Sequence, residues 1–225
     1  MSDQQVVKFV DKVKVTLISS MGDDLTPVNA ARISFGKSTD VMTEKDEKLI
    51  RYLANHQHMT PFEHQTLTVI VECPLFIRSQ IHRHRTFAYN EISRRYTSDD
   101  LEFYIPPVDD IRKQSKSNKQ GSEGPINEKD SEWAIRLMKH ACEATLGDFE
   151  RLIELGVARE QARSILPQNL MTKFYMTGNL RNWTHFLALR LDSHAQKEAR
   201  DVALQVDEII KKLWPASYAA LKESS

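Results

Sequence analysis

Glycine is scarce in this chain, and that scarcity narrows its architecture more than any other feature. Seven glycines fall among 225 residues, at positions 22, 36, 121, 124, 147, 156 and 178, about half the usual share. No two are spaced G-x-G, and no G-x-x-x-x-G-K-[ST] run occurs. Doubly wound dinucleotide folds and P-loop folds both depend on such backbone cradles, so both are excluded. A phosphate must instead be held by side chains, above all by arginine. The 31 basic residues cancel the 31 acidic ones, so no overall field draws the chain onto nucleic acid or a membrane surface. Any anion site has to be built locally.

A chain of this length can bury about 70% of its unfolded surface and needs no covalent staples. Its 40% hydrophobic and 28% charged content is that of an ordinary globular protein. Two cysteines, Cys73 and Cys142, cannot form a disulfide framework or a cysteine-rich zinc site. The stretch Met1 to Val10 lacks the apolar run of a signal peptide. The longest apolar runs fall far short of the ~20 residues that span a bilayer. The expectation is a cytoplasmic protein with no membrane partner.

Along the chain, Val13 to Leu17 reads as a strand, and Thr26-Pro27 leads into a short helix through Arg32. Thr43 with Asp46 resembles a capping box for a helix running to about Asn55. Residues His56 to His64 form a polar turn. Thr66 to Cys73 is a β-branched strand with Leu67, Val69, Val71 and Cys73 on one face. Pro74 ends it and starts a helix predicted to run from Leu75 to about Arg85. Leu101 to Ile105 is a short strand, and 108–130 is a polar loop or insertion. A long amphipathic helix carries Trp133, Leu137, Ala141, Ala144, Phe149 and Leu152 inward and is capped by Gly156. Ala158 to Leu166 is helical and Asn169 to Thr177 strand-like. Asn179 caps a helix to Leu191, and a last helix spans about Ala195 to Leu213. The pattern lacks repeated βαβ units. It predicts an α+β fold, a single domain over residues 1–225 with a mixed sheet packed by several long helices.

The chemistry concentrates in Arg78 to Arg95, which holds Arg78, Arg83, Arg85, Arg94 and Arg95 against Glu91 alone. Guanidiniums so close repel one another unless anions lie between them. Phe76, Ile77, Ile81 and Phe87 thread through the cluster, which favours an anion site over a solvated basic face. The histidine pairs His56/His58 and His82/His84 invite a metal, but Arg83 and Arg85 flank His84 and acidic ligands are few, so no metal is expected. Cys73 shares the apolar face of its strand and reads as core rather than nucleophile. Ser93 lacks a G-x-S-x-G elbow and suits phosphate binding better than acyl transfer.

Arg83-His84-Arg85, seven residues, then Ser93 spells R-H-R-x7-S. Around it stand Pro61-Phe62-Glu63-His64, Asn90-Glu91-Ile92-Ser93, Glu102-Phe103-Tyr104, Ala162 to Pro167, Asn179-Leu180-Arg181 and Leu189 to Gln196. In this order the blocks resemble the flavin-dependent thymidylate synthases, over about residues 13–215. The resemblance implies a single catalytic domain that methylates dUMP to dTMP. It takes the carbon from 5,10-methylenetetrahydrofolate, uses NADPH to reduce bound FAD, and needs no enzyme cysteine nucleophile.

The resemblance also distributes roles. Arg190 would contact the pyrimidine as the catalytic residue, since a guanidinium stays protonated and offers a planar donor fork to charge at N3 and O2. Gln80, Arg83, Glu91, Ser93, Arg94, Arg95 and Arg163 would hold dUMP with it. Ser34, His58, Thr60, Arg83, His84, Arg85, Glu91, Asn179, Arg181 and His185 would contact FAD. The family assembles as a homotetramer with shared active sites. The sequence departs from relatives at Ile81-His82, often aromatic; at Arg94, commonly glycine; and at His185, asparagine in some members. A nucleic-acid module using Phe87, Tyr89 and Tyr96 as stacking groups, and a histidine-metal hydrolase, are the weighed alternatives; no nucleic-acid partner is expected.

Overall fold

A computed structural model describes residues 7–97 and 101–224. The signal-peptide reading rests partly on Met1–Val6, which lie outside the described residues. Two strands open the chain, β1 (Lys8–Val10) and β2 (Lys14–Met21). Pro27 sits in the first turn of α1 (Leu25–Arg32), where its missing N–H costs no helical bond. The capping box before α2 (Glu44–Asn55) forms as predicted, with the Thr43 backbone N–H donating to Asp46 Oδ2 at 2.8 Å. In β3 (Thr66–Pro74) the alternating residues Leu67, Val69, Val71 and Cys73 are all buried, as the sequence pattern requires. There follow α3 (Leu75–Ile81), β4 (Ala88–Glu91) and β5 (Glu102–Tyr104). Next come β6 (Arg112–Gln114), β7 (Ser122–Pro125), α4 (Glu128–Glu154) and α5 (Arg159–Ala162). The chain closes with β8 (Met171–Asn179), α6 (Leu180–Arg190), α7 (Lys197–Leu213) and α8 (Pro215–Glu223). The α+β class holds.

The chain forms two compact units. One comprises the chain up to Val13, Glu72–Ile81 and Glu91–Lys173; the other comprises Lys14–Val71, His82–Asn90 and the chain from Phe174 onward. In the first, β1 and β5 pair in parallel and β6 and β7 pair antiparallel. Its core gathers Phe103 from β5, Cys142, Leu146 and Phe149 from α4, and Leu166 and Leu170. The second unit is built on a sheet of strand order β2–β3–β8–β4. Its helix α7 buries Ala199, Val202, Val206 and Ile210 completely, one face at the predicted helical spacing.

Several expectations need correction. Helix α3 stops at Ile81 rather than Arg85, and the R-H-R run lies in a turn. That turn is held by side chains: the Tyr89 hydroxyl donates to the His84 carbonyl at 2.9 Å, and Asn182 Nδ2 donates to the Thr86 carbonyl at 3.0 Å. Strand β4 then follows, where the sequence reading assigns no element. The polar 108–130 stretch contains the β6–β7 hairpin, whose loop carbonyls of Lys119 and Gly121 accept from Gln114 Nε2 at 3.1 Å each. In α4 the inward stripe is Cys142, Leu146 and Phe149, whereas Trp133 and Leu137 are exposed. Gly156 does end this helix, at φ 82°, a left-handed conformation that glycine adopts without strain.

The sequence reading stops at Leu213 and misses α8, which has Pro215 at its first position but takes its cap from far away. Asp24 accepts from the backbone N–H groups of Ala216 and Ser217 at 3.0 and 2.8 Å, satisfying donors that a helix start leaves open. Trp214, wholly buried, donates through Nε1 to the Gly22 carbonyl at 2.8 Å.

Candidate active site

In the first unit the β3–α3 junction aims Arg78 at Glu91. Arg78 Nε and Nη2 both donate to Glu91 Oε2, at 2.9 and 2.6 Å, while the Thr172 hydroxyl donates to Oε1 at 2.6 Å. Both carboxylate oxygens are therefore engaged by charge-assisted or hydroxyl bonds, the strong kind in a partly buried setting. This carboxylate forms one wall of a cavity of about 380 Å³ that also presents Arg94, Glu160, Arg163 and Ser164 above an apolar floor of Leu75, Leu166 and Leu170. Three guanidiniums face two carboxylates there, a local cationic excess in a chain of zero net charge. A concave site of this size, with apolar residues and converging charged groups, suits a small anionic molecule.

Local structure explains the arrangement. Residues after β4 turn tightly, with the Tyr96 N–H donating to the Ser93 carbonyl at 3.0 Å and the Arg95 N–H to Ser93 Oγ at 3.3 Å. The turn sets Arg94 into the cavity, where Nη2 approaches the Met171 carbonyl at 3.5 Å. Arg95 is exposed, 3.9 Å from Glu160, a surface pair of little energetic weight. Arg163 follows α5 in a 3₁₀ turn, its Nε directed to the Glu160 carbonyl at 3.4 Å. Gln80 is half-buried on α3.

In the second unit the R-H-R turn divides its side chains. Arg83 and Arg85 are exposed, and His84 between them is buried. His84 Nε2 accepts a hydrogen bond from Arg190 Nε at 3.0 Å, and its ring lies edge-on to Phe186 at 4.9 Å. Burial, with the positive Arg190 and then His185 nearby, brings the His84 pKa down to about 4. Burial also lowers the half-buried Arg190 from its ordinary value. Phe87 holds the turn from the other side. It packs against Trp183 at 4.6 Å, and a Cβ on Gly178 would sit 2.5 Å from its ring, so only glycine fits there.

Two further cavities belong to this unit, of about 580 and 590 Å³, and both are lined by Gln57 and Met59. The first brings Ser34, His58 and Thr60 together; the second brings Arg181 and His185 together with Thr86 and Asn182. Arg181 Nη1 is 2.5 Å from Glu63 Oε1, so the P-F-E-H and N-L-R segments meet in space. Asn179 caps α6, its side chain accepting from the Asn182 N–H at 3.0 Å. Gln57, at φ 55°, is the one non-glycine residue with positive φ among the described residues.

The family model described as "Thymidylate synthase complementing protein" matches residues 16–216. A flavin-dependent thymidylate synthase of Thermus thermophilus is 43% identical over 217 residues, covering 96% of this chain and 78% of its own. One of Kosmotoga olearia is 42% identical over 214 residues, covering 95% and 92%. The solved structure of a UMP/dUMP methylase, PolB of Streptomyces cacaoi, bound with 5-Br dUMP, superposes with a TM-score of 0.87 at 32% identity, covering 96% of this chain and 97% of that one.

The chain belongs to the flavin-dependent thymidylate synthase family.

Within that family framework, the residues nominated from sequence fall into groups. Glu91, Arg94 and Arg163 line one cavity of the first unit, with Ser93 and Arg95 in the adjoining turn. Ser34, His58 and Thr60 line one cavity of the second, Arg181 and His185 another, and Arg190 meets His84. Sequence reasoning missed Arg78 as the partner of Glu91, and it missed Thr172, Glu160 and Gln57. Glu160 had a readable signal, since it lies three residues before Arg163, the spacing that puts two side chains on one helical face. Both cysteines are buried, and desolvation, reinforced by Glu91, pushes the Cys73 thiol far above its ordinary value. Among the described residues no group of three or more His, Cys, Asp or Glu is set to hold a metal, and no helix is long and apolar enough to cross a membrane.

Proposed function

We propose that this protein is a flavin-dependent thymidylate synthase that methylates dUMP to dTMP, with 5,10-methylenetetrahydrofolate as carbon donor and NADPH as reductant of FAD. The observation that carries the reading is the cationic cavity around the Arg78–Glu91–Thr172 network, which brings Glu91 and Arg163 of two separate family blocks together in a chain without net charge.

The residues divide the work as follows. Arg94 and Arg163, with Ser93, Arg95, Gln80 and Arg83, hold the nucleotide, chiefly its phosphate, because guanidiniums give two-pronged charge-assisted bonds to phosphate oxygens. Glu91 keeps the arginines apart electrostatically and fixes Arg78. Arg190 takes the pyrimidine. A half-buried guanidinium stabilises charge developing at N3 and O2 more strongly than one in bulk water, and this makes C5 nucleophilic without a cysteine adduct. The raised Cys73 thiol supports that division.

The second unit suits a large anionic cofactor. Its two cavities share Gln57 and Met59 and offer neutral hydrogen-bonding groups in one and a guanidinium in the other. Ser34, His58, Thr60, Asn179, Arg181 and His185 would hold FAD, with Arg83, His84, Arg85 and Glu91. When bound, FAD supplies the hydride that completes the methyl group.

The chain crosses between its two units five times, which supports one catalytic domain rather than two that act separately. A homotetramer with shared sites follows the resemblance, and self-association would cover the exposed Trp133, Leu137 and Met138 of α4. Folate and NADPH as partners, and a cytoplasmic location, rest on the resemblance.

The test is the visible spectrum of the purified protein on adding FAD and then dUMP. A bound-flavin spectrum that shifts with dUMP supports the reading. Folded protein that takes up no FAD overturns it.

A further inference from the structure

We propose that His84 is the positioning residue for Arg190: its Nε2 anchors the guanidinium through Nε and sets the plane in which Arg190 meets the pyrimidine. The inference rests on the reading above that Arg190 faces the nucleotide base.

Arg190 is the last residue of α6, where the helix no longer supplies a following turn to confine a long side chain. Arginine carries much rotamer freedom, and a guanidinium that must be ordered at each turnover loses rate. The Nε–His84 bond at 3.0 Å removes that freedom in advance. The anchor is itself immobile. His84 is only 8% exposed, between two exposed arginines. Its ring is braced by Phe186, one helical turn before Arg190, and its carbonyl by the Tyr89 hydroxyl. The same short segment of α6 thus carries both the side chain to be positioned and the ring that braces its anchor.

The geometry also fixes the chemistry of the imidazole. Nε2 accepts from Arg190, so the ring proton resides on Nδ1 and the ring is neutral. A protonated ring would have no lone pair at Nε2 and would repel the guanidinium. Burial and the charges of Arg190 and His185 hold the ring in the neutral form. Any contact His84 makes with FAD therefore uses atoms other than Nε2. In this arrangement the R-H-R run serves two ends, arginines outward and histidine inward to a residue 106 positions away.

The experiment compares wild type, His84→Leu, which removes the acceptor, and His84→Gln, whose amide reaches about as far as Nε2. Each is assayed for dTMP formation with FAD bound, and each is crystallised. The leucine variant should lose about 10–100-fold in kcat, the scale of a misplaced catalytic group, with the dUMP KM changed less than about threefold. The glutamine variant should recover most of the loss. Arg190 should occupy its wild-type rotamer in the glutamine variant and leave it in the leucine variant. Wild-type kcat in His84→Leu overturns the proposal, and so does an unmoved Arg190 in that variant. Equal loss in both variants with Arg190 in place also overturns it. If the leucine variant does not fold, His84→Asn, polar but too short to reach Nε, replaces it in each arm. If wild type forms no dTMP, the functional reading has failed by itself, and the position of Arg190 across the variants still decides whether His84 anchors it.

Discussion

A neutral, buried His84 makes stability depend on pH in a way that can be isolated. In the unfolded chain the ring titrates near its ordinary 6.5, whereas in the fold its pKa is about 4. Between those values the unfolded state binds more protons than the native state, so stability falls as pH falls through the window. The charged and titratable groups facing the ring are Arg190 and His185 from α6, and Tyr89 from β4 donates to the carbonyl of the same residue. Tyr89 is neutral across this range, its own pKa pushed up to about 12 by burial. At 1.36 kcal/mol per pH unit the full gap is worth roughly 3 kcal/mol, and partial solvent access reduces the expected effect to about 2 kcal/mol. Urea unfolding of wild type and His84→Gln at pH 7 and pH 4.5, at one protein concentration, gives the double difference in which carboxylate titrations common to both chains cancel. The stability of wild type relative to the variant should drop by about 2 kcal/mol on acidification. An unchanged difference would mean that His84 is protonated in the fold, and the Arg190 Nε–His84 bond would then be misassigned.

Further outcomes follow from other contacts. Gly178→Ala should cost about 1–3 kcal/mol by driving a methyl into the buried Phe87 ring, seen as a lower Tm; an unchanged Tm would refute that close packing. Gln57→Gly should hold or raise stability by up to about 1 kcal/mol, since it relieves a left-handed backbone, and a calorimetric loss would contradict this. Arg190→Ala should abolish dTMP formation while circular dichroism and flavin content stay normal. Near-normal turnover would remove Arg190 from the chemistry. Cys73→Ala should lose roughly 1 kcal/mol of stability yet keep the chemical step, and a folded, flavin-loaded but inactive variant would reinstate covalent catalysis.

What the sequence reveals follows from the range of the interactions involved. Strand β3 and helix α7 are legible because each has one buried face and a regular period, and the box before α2 because its partners are three residues apart. Helix α8 is not, because its cap is Asp24. The end of α3 is not, because Tyr89 and Asn182 hold the turn that replaces it. Only the first half of the predicted α4 face is misread, because Trp133 and Leu137 are apolar yet exposed, whereas Phe149 and Leu152 pack on the core as expected. The site divides in the same way. Arg163 and Glu91 come from recognisable blocks, whereas the Arg78–Glu91 and His84–Arg190 pairs depend on how a strand, a turn and a helix end meet in space.

The most direct measurement is tritium release from [5-³H]dUMP with matched quantification of dTMP. The complete mixture contains FAD, NADPH and 5,10-methylenetetrahydrofolate, and each component is then omitted in turn. The account predicts equal release and dTMP formation in the complete mixture, loss of dTMP formation when the folate is omitted, and undiminished turnover by Cys73→Ala. Folded, flavin-loaded protein that yields no dTMP under these conditions would contradict it.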